Sequence, residues 1–115
     1  MKRFLPAFLL ISMMVLPADA QLFKTSLTLT IIDELGNSVE GATVMIFEKK
    51  DDYLAEKNPA AQGVTDAKGV IRLKELKPMQ YYVLARKGDK DNIGGGEQVG
   101  PLEEKKFNKA RVVIQ

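Results

Sequence analysis

The run Gly88-Asp89-Lys90-Asp91-Asn92-Ile93-Gly94 sets carboxylate and amide oxygens in a glycine-containing loop, the ligand type that calcium prefers. The spacing departs from a calcium loop: counted from Asp89, Ile93 takes the fifth position, and Gly100 stands where a bidentate Glu belongs. A solvated turn uses the same residues, because Asp and Asn side chains bond nearby backbone. Asp51-Asp52 is a shorter version of the same pattern. The chain has no Cys and no His, which removes cysteine nucleophiles, histidine general acid–base catalysis and zinc sites built on those ligands. A hydrolase would rest on carboxylates alone, and no pair of them is set by spacing. The side chains suit holding rather than transforming, and no cofactor or metal is implied.

Residues 1–20 read as an export leader. Lys2 and Arg3 give a basic start, Phe4 to Leu16 are apolar apart from Pro6 and Ser12, and Ala18-Asp19-Ala20 is the small-x-small pattern that signal peptidase cuts. The apolar stretch falls short of the ~20 residues a membrane span needs. The expected mature protein, residues 21–115, is a single exported domain, periplasmic or secreted, with no lipid-anchor cysteine and no stable membrane insertion. The formal net charge of +2 drops by one when Lys2, Arg3 and Asp19 leave, too little to draw nucleic acid or an anionic membrane. Without disulfides, one core must be held by burial alone.

The elements that position these residues alternate with period two. In Ser26 to Ile32, Leu27, Leu29 and Ile31 share one face and Ser26, Thr28 and Thr30 the other, which is a half-buried strand. Asp33-Glu34-Leu35-Gly36-Asn37 is a turn, and Ala42 to Glu48 follows as a strand in a strand–turn–strand unit. Lys49 to Pro59 is charged and aperiodic, open to either a helical turn or a short edge strand. Strands are then expected at Ala61 to Thr65, Val70 to Leu73, Tyr81 to Arg86 and Asn108 to Gln115, with Asp66-Ala67-Lys68-Gly69 as a turn and Pro78 marking a strand entry. Gly88 to Phe107 lacks periodicity. Tyr81 suits a tyrosine corner, bonding its hydroxyl to backbone. Six or seven one-sided strands call for an all-β fold of two packed antiparallel sheets.

Two motifs in order carry a family resemblance. Asp33, Gly36, Val39, Gly41, Ala42 and Val44 fit Asp-x-x-Gly-x-x-Val-x-Gly-Ala-x-Val. Thr65, Asp66, Gly69, Ile71, Leu73, Leu76, Pro78 and Tyr81 fit the second half of the same pattern, with Met79 where Gly is usual. Over roughly residues 26 to 87 the chain resembles the carboxypeptidase regulatory-like, transthyretin-type (prealbumin-like) β-sandwich domains. The resemblance implies a seven-stranded Greek-key sandwich acting as a non-catalytic accessory or interaction module. Adhesin-type sandwiches of similar architecture carry a Lys–Asn isopeptide bond, whose buried Lys and catalytic carboxylate fall at Ile31 and near Arg86 here; Lys24 and Asn108 are the conceivable substitutes. The related hydroxyisourate hydrolases depend on histidines, which this chain lacks.

With the strands around Met45–Phe47, Val70–Lys74 and Tyr82–Arg86 set side by side, Val44, Ile46, Ile71, Leu73, Tyr81 and Val83 face the core. Met45, Phe47, Val70, Tyr82 and Leu84 then point outward, rimmed by Arg72, Lys74 and Arg86. Exposed apolar groups with a charged rim mark contact surfaces. The expected partner-binding set is therefore Met45, Phe47, Arg72, Tyr82, Leu84 and Arg86, unless the 88–107 segment folds over it. The expected role is a binding module contacting a protein, or an envelope glycan stacked on Phe47 and Tyr82.

Overall fold

The computed structural model describes residues 24–115, so the leader expected at residues 1–20 lies outside the described residues. The strands are β1 (Ser26–Asp33), β2 (Thr43–Phe47), β3 (Ala61–Val64), β4 (Val70–Leu73), β5 (Tyr81–Lys87), β6 (Lys90–Asp91), β7 (Gln98–Val99) and β8 (Phe107–Ile114), with one helix, α1 (Lys50–Ala55), between β2 and β3. They form two sheets. One has the order β4-β1-β8; the other runs β3-β2-β5, with β6 and β7 both on the far edge of β5.

Three expectations change here. The described strands number eight, two of them only two residues long. β8 runs parallel to β1, pairing Ser26 with Phe107 through Asp33 with Ile114, so the sandwich is not antiparallel throughout. Strand–turn–strand units also do not mean paired strands: β1 and β2 lie in different sheets, as do β4 and β5. The turn at Asp33 makes only a small bridge, Ile32 to Ser38, before the chain crosses to the other sheet.

The core is the one alternation dictates. Leu27, Leu29 and Ile31 of β1 meet Val44 and Ile46 of β2, Ile71 and Leu73 of β4, Tyr81 and Val83 of β5, and Val112 and Ile114 of β8, all buried. At about 1.5–3 kcal/mol for each large apolar side chain removed from water, this cluster supplies most of the drive to fold. Crossovers are fastened by polar groups. The Thr65 hydroxyl accepts the Ala42 N–H (2.9 Å) and donates to the Val39 carbonyl (2.6 Å). The Lys77 N–H donates to the Tyr81 hydroxyl (2.9 Å), the tyrosine-corner bond expected from the sequence. Gly69 is required by contact as well as by conformation: its φ is +75°, and a Cβ there would stand 2.7 Å from the Ile31 carbonyl oxygen.

Two turn carboxylates tie stability to pH. The Asp33 carboxylate accepts the N–H groups of Asn37 (2.9 Å) and Leu35 (3.0 Å), and the first of these chiefly holds its pKa below the usual 3.8. Asp66 is held below the same value by the N–H groups of Val70 (3.0 Å) and Lys68 (2.8 Å). A pKa lower folded than unfolded gives stability that is present above the unfolded value and lost as pH falls through the folded one. The melting temperature should therefore fall on acidification from about pH 5 to pH 2, and an Asp33→Asn/Asp66→Asn variant should lose less over that range than the parent chain; equal slopes would contradict the assignment.

Candidate interaction face

The outer side of the β3-β2-β5 sheet is not the open patch the sequence suggests. Cross-strand pairing sets Met45 beside Leu84 and Phe47 beside Tyr82, as expected. Helix α1 then lies over them. Its buried Tyr53 stacks on Tyr82 (centroids 5.8 Å, interplanar 29°) and meets Phe47 edge-on (5.9 Å, 73°). Phe47 and Leu84 are 0% and 2% exposed, and Met45 and Tyr82 are half-buried around them. Phe47 therefore offers no stacking face to a sugar, and the cover is α1 rather than the 88–107 segment.

The helix forms because it is anchored. Six residues are too few for a stable isolated helix. Asp51 and Asp52 in its first turn favour the positive end of its dipole, and Glu56 closes it in the left-handed conformation with φ 53°. Arg86 of β5 fixes that end by a two-pronged ion pair with Glu56 (3.1 and 3.2 Å). Burial, followed by the nearby Glu97 charge, pushes the Tyr53 hydroxyl from 10.0 up to about 12. The sequence suggests no packing role for Tyr53; its signal is the one aromatic side chain in a largely charged segment. A cleft of about 130 Å³ remains between α1 and Ile93, well below the usual 300–1,000 Å³ of small-ligand pockets.

The loop with calcium-like composition is organised by backbone bonds. Asp91 accepts the Ile93 N–H (3.0 Å). The buried Asn92 accepts the Ala85 N–H (2.9 Å) and donates to the carbonyls of Val83 (2.9 Å) and Gly96 (3.1 Å). The residues weighed for a Lys–Asn cross-link are also engaged. Lys24 pairs with Glu75 at the surface (3.2 Å), and Asn108 bonds the backbone of Ser26, Glu103 and Lys106. Every lysine among the described residues is exposed.

Arg72 belongs elsewhere. β4 pairs with β1, not with β2 or β5, so Arg72 lies on the outer face of the other sheet. There it shares a row with Thr28 and Lys109, and the next row holds Val70, Thr30 and Arg111. Phe107 (71% exposed) and Val113 (39%) complete the β8 stripe. The face carries three cations and no carboxylate, and among the described residues Arg72, Lys109 and Arg111 form no ion pair. Its signal was legible in Phe107-Asn108-Lys109-Ala110-Arg111-Val112-Val113, where alternate positions are large or cationic.

No family model and no curated protein sequence matches this chain. Among solved structures it is similar to the group B streptococcus pilus 2b backbone protein (19% identity, TM-score 0.53, 79% of this chain and 40% of that one). It is also similar to the Bacillus anthracis TIE protein (19%, 0.54, 77% and 16%) and to BcpA, the major pilin subunit of Bacillus cereus (18%, 0.51, 79% and 30%). The chain thus spans well under half the length of each. These likenesses establish the fold: a β-sandwich of the kind found in pilus backbone proteins.

Proposed function

We propose that this protein is an exported, non-catalytic interaction module of the cell envelope, periplasmic or secreted, that holds a protein partner against the outer face of its β4-β1-β8 sheet. The observation that carries the reading is that face: Arg72, Lys109 and Arg111 stand exposed on it together, with no carboxylate between them. Like-signed charges are left side by side at a cost to the fold, and a complementary surface removes that cost. The shared fold with pilus backbone proteins supports a structural role outside the cytoplasm, as does the leader-like start of the sequence. Of the residues first expected to bind, Arg72 remains on the contact surface, while Phe47 and Leu84 serve the fold.

The test compares two charge-altered proteins for retention on envelope fractions of the source cell. Arg72→Glu/Lys109→Glu/Arg111→Glu should reduce retention about tenfold or more, since rim and face charges govern association. Lys50→Glu/Leu54→Ser, on the α1 side, should leave it unchanged. The opposite pattern would rule the face out.

A further inference from the structure

The free edge of β8 goes further than the face, and the inference rests on that reading of the face. Ser26 donates its N–H to the Lys106 carbonyl (3.0 Å), which sets the phase of the parallel ladder: even-numbered residues of β8 turn their backbone groups to β1. Ile31 donating to the Gly69 carbonyl (2.8 Å), on the far side of β1, fits the same phase. Phe107, Lys109, Arg111 and Val113 therefore turn N–H and C=O away from β1, and among the described residues no strand lies there. The next odd residue reveals what this edge accepts: Gln115 exchanges antiparallel bonds with Asp91, donating at 3.0 Å and accepting at 3.3 Å. Upstream of Gln115 the edge is open.

We propose that this edge is a docking strand for an extended acidic segment of the partner protein. A strand added to β8 places its side chains beside those of Phe107, Lys109, Arg111 and Val113 on the same outer face, with directly opposed Cβ atoms about 5 Å apart. The complement is a segment with apolar residues at its first and seventh positions and carboxylates at its third and fifth. Charge selects this occupant over a second copy of the chain. In the fully overlapped antiparallel register between two copies, Lys109 faces Arg111 at both symmetry-related sites, and like charges in direct opposition are destabilising. Cations on an exposed edge also discourage indiscriminate pairing, so the same residues that block self-association admit an acidic strand.

Two synthetic peptides of identical composition test the register. One carries valine at positions one and seven, glutamate at three and five, and alanine elsewhere; the other moves the glutamates to positions two and four. The matched peptide should bind the intact protein about tenfold more tightly, as two opposed charge pairs predict. It should slow amide exchange at Phe107, Lys109, Arg111 and Val113. Lys109→Gln/Arg111→Gln should abolish the difference between peptides without lowering the melting temperature. Binding of neither peptide overturns the proposal. So does equal binding of both without amide protection: the face then captures anions by charge alone, and the face reading survives. Concentration-dependent protection without peptide overturns it in favour of a second copy. Peptide discrimination together with retention indifferent to Arg72, Lys109 and Arg111 keeps the edge and removes the face reading.

Discussion

Phe47→Ala will lower the stability of the fold by about 3–4 kcal/mol, as truncation of a fully buried aromatic does. The lost contacts are specific: the edge-on packing with Tyr53, the cross-strand contact with Tyr82, and the pairing of α1 with the sheet. In a domain of this size the melting temperature should fall by roughly 15 °C. Leu54→Ala, one residue beyond Tyr53 on the exposed side of the same helix, should stay within about 0.5 kcal/mol because Leu54 is 66% exposed. Urea midpoints of the two variants decide the matter. An unshifted Phe47→Ala midpoint would mean that the aromatic cluster under α1 does not form.

That expectation inverts the role the sequence suggests for Phe47, and the reason is instructive. Alternation assigns a face to each residue of a strand, and it does so correctly for Leu27, Leu29, Ile31, Val44, Ile46, Val83 and Val112. It does not assign a neighbour. The turn at Asp66-Gly69 announces a strand after it, and its side-chain bonds form as that chemistry demands, yet nothing local tells whether Val70–Leu73 joins β5 or crosses to β1. The crossing moves Arg72 off the expected patch and into the company of Lys109 and Arg111. Parallel pairing of the first long strand with the last is likewise a long-range choice, set by closure of the core rather than by any local motif.

The sequence leaves α1 as one of two readings of its segment, a helical turn or a short edge strand, for a different reason. KDDYLA has no amphipathic period to read, since a single turn with one anchor carries no repeat. Its stability comes from Tyr53 docking on Tyr82 and from the Glu56–Arg86 pair, both tertiary contacts. The outer face of the β3-β2-β5 sheet, apolar enough to look like a binding site, is apolar because the protein itself occupies it. The opposite sheet bears charge on its outer face, where Arg72, Lys109 and Arg111 stand exposed to solvent.

Asn92→Ala should cost about as much as losing Phe47, although it removes no apolar surface. β5 is paired with β6 at Arg86 and Lys87 and with β7 at Tyr81 and Tyr82, and its Val83 N–H donates to the Glu97 carbonyl (2.7 Å), but between Val83 and Arg86 no backbone of the edge chain pairs with the strand. The Asn92 amide fills that gap, accepting from the Ala85 N–H and donating to the Val83 carbonyl, and it is 1% exposed. Alanine strands a buried donor and a buried acceptor at about 1–3 kcal/mol each, so roughly 3 kcal/mol is expected in all. Asn92→Asp separates hydrogen bonding from shape. One oxygen still accepts from Ala85, while the other confronts the carbonyls of Val83 and Gly96 unless it is protonated. Burial and those carbonyls raise the pKa of the new carboxyl above its unfolded value, so its penalty is full at neutral pH and shrinks as pH falls through the raised value. Melting curves of parent and Asn92→Asp proteins should therefore converge on acidification. A gap independent of pH would mean that the amide donates no hydrogen bond to β5.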